Sequence, residues 1–105
     1  GCYCLIGVGG PYNSNSMRAW IVYMPSKLYY PWHQHPAEEL YFCLAGEATF
    51  KADGKDDIIL CEGGVSEHNS NQPHAMQTDE KPVLAYVIWR NGFDVLPELT
   101  HDDAK

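Results

Sequence analysis

Basic charge is scarce in this chain. Seven Lys and Arg stand against fourteen Asp and Glu, giving a formal net charge of −7, and the basic residues form no run. That balance argues against nucleic acid and anionic membrane surfaces as partners and favours a small ligand. Long apolar stretches are missing too: none approaches the roughly 20 residues a transmembrane helix needs, and no charged-then-apolar signal segment is visible. The chain opens on Gly1 rather than Met, so a trimmed start is expected. Cysteine is present without pattern. Cys2, Cys4, Cys43 and Cys61 contain no C-x-x-C pair, which reads as reduced thiols in a cytoplasmic protein. Internal repeats, low-complexity segments and helical signals are all but absent. At 105 residues the chain is a single domain (1–105), large enough for one core and small enough that oligomerisation is expected.

What is present instead is a series of short β-branched and aromatic runs separated by Gly, Pro, Asn and Asp, the spacing of an all-β sandwich or barrel. Strands are expected over 2–8, 18–24, 27–33, 39–45, 48–52, 57–61, 65–68, 74–78 and 83–90, with an irregular tail over 91–105. Pro31 lies inside the third run and belongs on an edge or at a bulge. Asp53-Gly54 is a strong hairpin signal.

Residues 31–46, Pro-Trp-His-Gln-His-Pro-Ala-Glu-Glu-Leu-Tyr-Phe-Cys-Leu-Ala-Gly, carry the chemistry. His33 and His35 are two apart, so on an extended chain both imidazoles leave one face with Cα atoms about 6.6 Å apart. Rings that close can share one ion. The even offset from His35 permits Glu39 and Tyr41 to face the same interior. Taken one at a time, each residue has an ordinary use as well: H-x-H pairs are often surface or core residues, and Tyr41 could be a strand aromatic with a hydrogen-bonded hydroxyl. Cys43 shares the alternation of Glu39 and Tyr41, but a buried free cysteine usually acts as a small hydrophobe. Leu40, Phe42 and Leu44 form the opposite face of that strand, and three large apolar groups there predict a covered surface, a homodimer interface before the alternative of cover by a local terminal segment. His68 is expected to be exposed in a turn, and His101 lies in the tail.

The spacing His33-x-His35-x3-Glu39-x6-Gly46 resembles the first motif of the cupins, small antiparallel jelly-roll β-barrels whose interior holds a divalent metal. A second, degraded motif follows. Gly63 and His74 keep its glycine and histidine positions, whereas Asn69, Asn71 and Thr78 replace its proline, glycine and asparagine. Lys27 stands where the first motif opens with glycine, and Asn71 is tolerable because asparagine accepts the left-handed conformation glycine would supply. A closer resemblance lies in the run Tyr30 to Tyr41, in Asn-Gln-Pro-His74-Ala-Met and in the run Pro82 to Arg90. Together these are similar to the cupin-type dimethylsulfoniopropionate lyases, which cleave their zwitterionic carboxylate substrate to dimethyl sulfide and acrylate with a bound transition metal and a nearby tyrosine. By position, the resemblance implies His33, His35, Glu39 and His74 as metal ligands and Tyr41 as catalytic base. Tyr30 and Trp89 match positions lining the substrate pocket. Many members of that family carry a longer N-terminal region, so their lid elements are expected to be absent here or removed by truncation.

Three imidazoles and a carboxylate suit iron, zinc, manganese, nickel or cobalt. Open positions for substrate on top of four protein ligands favour five- or six-coordination, so iron is the expectation over closed tetrahedral zinc. The aromatic faces of Tyr30, Trp32 and Trp89 would attract a cationic sulfonium. If Trp89 points inward, strand alternation sends Val83, Ala85 and Val87 inward as well. The competing readings are a metal-dependent dioxygenase or isomerase acting on another small carboxylate, and a non-catalytic cupin that binds a small ligand.

Overall fold

The computed structural model describes residues 1–100, which form strands and no helix. In chain order these are β1 (Cys2–Ile6), β2 (Arg18–Met24), β3 (Tyr29–Gln34), β4 (Glu38–Ala52), β5 (Ile58–Cys61), β6 (Val65–His68), β7 (His74–Gln77), β8 (Val83–Arg90) and β9 (Glu98–Leu99). All the pairings between them are antiparallel. No helix of the described residues is long and apolar enough to cross a membrane.

β4 belongs to both halves of the fold. Its first part, up to Gly46, pairs with β8 on one side and β6 on the other, and its second part pairs with β5 and β7. One face of the molecule is therefore the sheet β1-β2-β8-β4-β6 and the other is β9-β3-β7-β4-β5, curled around a common interior. This is the all-β, antiparallel jelly-roll arrangement expected. The strands expected separately over 39–45 and 48–52 are in fact one strand of 15 residues. The reason is local. The β4–β8 register shifts between Cys43 and Ala45, and Gly46 takes φ +76°, so the chain bends from one sheet to the other without breaking its ladders. Only glycine fits there, since a Cβ would lie 1.8 Å from the Pro82 carbonyl oxygen.

The interior is filled from both sheets by Met24, Tyr41, Cys43, Ala48, Phe50, Leu60, Met76, Val83, Ala85 and Val87. Alternation along β8 puts Val83, Ala85 and Val87 inside, as expected of a strand whose Trp89 turns inward. Cys43 is 1% exposed and works as a core hydrophobe. On the outer side of β4, Phe42 and Leu44 are each 37% exposed, and Leu40 is half-buried opposite Ile88. The tail is less irregular than its composition suggests: Glu98 and Leu99 pair with Gln34 and His33 as β9, and the Gln34 amide donates to the Glu98 carboxylate at 3.1 Å. Residues 101–105, with His101, lie outside the described residues.

Candidate metal centre

Pro31 shapes the first wall of the site. It has no N–H to give to a ladder, and the β3–β7 register slips between Tyr30 and His33. The slip brings Tyr30 and His33, three apart in sequence, to the same inner face. It leaves Trp32 on the other side, in a groove of about 450 Å³ with Tyr29, Lys51, Asp57 and Gln77. Trp32, expected to offer its ring to the substrate, directly precedes the inward His33, so alternation turns it to the opposite face, and it is Tyr30 that the bulge moves. His33 pairs across the ladder with His74 of β7, and their ring centroids are 4.1 Å apart. His35 follows just after β3, its ring 5.0 Å from that of His74. Ligand atoms of His33, His35 and His74 all lie within 4.8 Å of one another, and each ring is no more than 3% exposed.

The three imidazoles are oriented alike. Nδ1–H of His33 donates to the Pro31 carbonyl at 2.7 Å, that of His35 to Ala37 at 2.9 Å and that of His74 to Gln72 at 2.8 Å. A carbonyl oxygen only accepts, so in the singly protonated ring the proton sits on Nδ1 and Nε2 is a bare lone pair. Nε2 of His35 and of His74 are buried with no hydrogen-bond partner. Both face Glu39: His74 Nε2 is 3.1 Å from Oε1 and His35 Nε2 is 3.4 Å from Oε2. Lone pairs aimed at a carboxylate in a dry interior repel unless a cation lies between them, and unsatisfied buried polar atoms are costly. Three nitrogens and a carboxylate oxygen suit a divalent transition metal, so the residues present fit such an ion. Burial and the neighbouring His74 lower the His33 pKa to about 4, which keeps its ring neutral and its lone pair available at neutral pH. Burial alone would raise the Glu39 carboxyl, but His35, His68 and His74 packed around it hold it well below the usual carboxylate range. The carboxylate is therefore an anion.

Aromatic rings frame this cluster. Trp89 stacks on His35 with centroids 4.3 Å apart, meets Trp20 edge-on at 5.0 Å, and donates its indole N–H to Glu39 Oε2 at 2.6 Å. The sequence had suggested only a pocket wall at Trp89. Tyr30 stacks on His33 at 4.2 Å. Tyr41, two residues after Glu39 on β4, is 5% exposed, in edge contact with Phe50 at 5.0 Å and 5.8 Å from the His68 ring. Its hydroxyl has no hydrogen-bond partner among the described residues. Burial first, then the Glu39 charge, pushes its pKa well above the normal tyrosine value.

His68 overturns an expectation. Instead of lying exposed in a turn it is 2% exposed, with Nδ1 2.8 Å from Glu39 Oε1 and Nε2 3.2 Å from Ser66 Oγ. The cause is that β6 is inside out. Val65, the apolar residue a reader would bury, is 44% exposed, while Ser66 and His68 face inward. The register sets this, since Glu39 pairs with His68 and Tyr41 with Ser66. Alternation combined with the inward Glu39 was the one signal in the sequence that pointed to His68. Lys27 and Asn71, which replace motif glycines, both adopt left-handed backbone, with φ +58° and +56°.

The family model for DMSP lyase, dimethylsulfoniopropionate lyase, matches residues 2–85. The dimethylsulfoniopropionate lyase DddQ of Ruegeria pomeroyi is 50% identical over 104 residues, 99% of this chain and 52% of that protein. Its crystal structure superposes with a TM-score of 0.94 over 100% of this chain and 53% of that one. A second crystal structure from the DMSP lyases is 36% identical, with a TM-score of 0.90 over 95% of this chain and 52% of its own. The chain thus spans about half the length of these relatives. A cupin-like protein from Thermotoga maritima shares the fold at 18% identity, with a TM-score of 0.80 over 94% of this chain and 74% of its own.

Proposed function

The chain belongs to the dimethylsulfoniopropionate lyase family, and from that premise we propose that it is a metal-dependent carbon–sulfur lyase cleaving dimethylsulfoniopropionate to dimethyl sulfide and acrylate. The observation that carries the reading is the convergence of bare, buried Nε2 atoms on the Glu39 carboxylate. His33, His35, His74 and Glu39 would hold the ion, with iron favoured among the divalent transition metals. When bound it would supply Lewis acidity against the negative charge that develops on the substrate carboxylate as the adjacent proton leaves.

The chain's own residues do the rest. Tyr41 takes the proton from the carbon next to the carboxylate. The C–H electron pair becomes the new C=C bond, and the C–S pair leaves with sulfur as neutral dimethyl sulfide. In the protein alone Tyr41 holds its proton tightly because it is buried beside Glu39, so its activation requires positive charge in the cluster. Tyr30 and Trp89 rim the histidines and supply aromatic wall for a sulfonium, attraction worth about 0.5–2 kcal/mol. Four free cysteines among the described residues support a cytoplasmic setting. The outer face around Leu40, Phe42 and Leu44 supports a homodimer.

Incubation of metal-loaded protein with dimethylsulfoniopropionate, followed by proton NMR of the acrylate vinyl signals, tests the assignment. Acrylate is expected in step with substrate loss. Oxygen uptake on another carboxylate, with no acrylate under any metal, would instead favour a dioxygenase on the same ligands.

A further inference from the structure

Four buried histidines surround Glu39, and one of them is wired differently. The rings of His33, His35 and His74 donate Nδ1–H to backbone carbonyls and leave Nε2 bare. His68 has both nitrogens engaged by side chains: Nδ1 lies 2.8 Å from Glu39 Oε1 and Nε2 3.2 Å from Ser66 Oγ. An ionised carboxylate only accepts, so Nδ1 carries the proton. Nε2 is then the acceptor, and the Ser66 hydroxyl donates to it. The atoms of Glu39, His68 and His74 sit close enough together to suggest a cation site of their own, within 4.8 Å. Yet the nitrogen that His68 turns to this cluster carries a proton given to Glu39, and its lone pair is taken by Ser66.

We propose that His68, oriented by Ser66, is a positioning residue: it fixes the rotation of the Glu39 carboxylate so that its free lone pairs point toward the Nε2 atoms of His35 and His74. The placement is built into the sheet. Glu39 and Tyr41 on β4 stand opposite His68 and Ser66 on β6, so the Ser66–His68–Glu39 chain is set by backbone register rather than by a loop. Trp89 Nε1–H holds the other oxygen at 2.6 Å, leaving Glu39 little freedom to turn. Such orienting partners of metal ligands typically change metal affinity about 10- to 100-fold.

The inference rests on the metal reading of the site, and its test separates the two. The affinity of the full chain for Co²⁺ is measured by competition with a coloured chelator, together with the visible absorption of the bound ion. His68→Asn keeps an amide N–H close to the Nδ1 position, whereas His68→Gln reaches toward Ser66 and His68→Phe keeps ring volume with no donor. His68→Asn is expected to bind within about 3-fold of the unaltered chain with the same spectrum. His68→Gln and His68→Phe are expected to bind about 10- to 100-fold more weakly with a shifted spectrum. Should His68→Phe fail to fold, the contrast between the two amides still decides. Equal affinity and spectra for His68→Asn and His68→Gln would overturn the positioning role. No Co²⁺ binding by the unaltered chain would overturn the metal centre itself, and the inference with it.

Discussion

Acidification of the metal-free protein should weaken the fold steeply between about pH 6.5 and pH 4, and His33 provides the clearest reason. Its folded pKa is held down at about 4 by burial and by His74, whereas in an unfolded chain a histidine titrates near 6.5. As pH falls through 6.5 the unfolded chain takes up this proton and the folded chain does not, so stability is lost until about pH 4 and this group adds nothing further below it. Each pKa unit corresponds to about 1.4 kcal/mol, so the window is worth at most about 3.5 kcal/mol. His68, also lowered by burial, acts with the same sign, as does Glu39 at lower pH. Against a typical total of about 5–15 kcal/mol, this is a large share. Urea unfolding of metal-free protein at pH 7.5, 6.5, 5.5 and 4.5, compared with His33→Gln, isolates the term. The unaltered chain should show the greater proton uptake on unfolding, by close to one proton near pH 5. Identical pH slopes for the two proteins would refute the reasoning that a neutral, buried His33 is maintained by the fold.

Tyr41→Phe should reduce dimethyl sulfide formation by about 10²- to 10⁴-fold while leaving stability unchanged or slightly raised, since the ring stays packed on Phe50 and the lost hydroxyl has no hydrogen-bond partner among the described residues; paired rate and thermal-melt measurements check it. Trp89→Phe keeps a ring against His35 and Trp20 but removes the N–H held by Glu39, so metal affinity should fall by about 10-fold or more in a chelator competition. In Gly46→Ala the new methyl meets the Pro82 carbonyl in a left-handed backbone, which should cost at least about 2 kcal/mol, read as a melting point lowered by roughly 8 °C or more. Phe42→Asp on the outer face should halve the mass seen by light scattering if the homodimer uses that face. An unaltered chain that is already monomeric would remove the dimer.

The strand pattern was legible because each run is short, β-rich and closed by Gly, Pro, Asn or Asp, and because a two-residue period survives along most strands. The H-x-H pair with Glu39 and the distant His74 were legible for the same reason: even offsets on an extended chain share a face. What the pattern hid were the places where backbone geometry overrides the period. A left-handed Gly46 turned two expected strands into one bent β4. The slip at Pro31 put Tyr30 with the histidines, three residues from His33 where alternation alone would have turned it away. At His68 the polar side of β6 faces a polar interior, which inverts the usual rule that Val65 would lead inward. β9 leaves no pattern because two residues carry no period.

Headspace measurement of dimethyl sulfide from dimethylsulfoniopropionate tests the central claim most directly, with the chain stripped by chelator, reloaded with iron or another divalent transition metal, and reloaded in the Tyr41→Phe form. The account predicts release by the reloaded chain, little from the stripped one, and a loss of two or more orders of magnitude without the phenol. Release that is indifferent to metal, or undiminished in Tyr41→Phe, would contradict it.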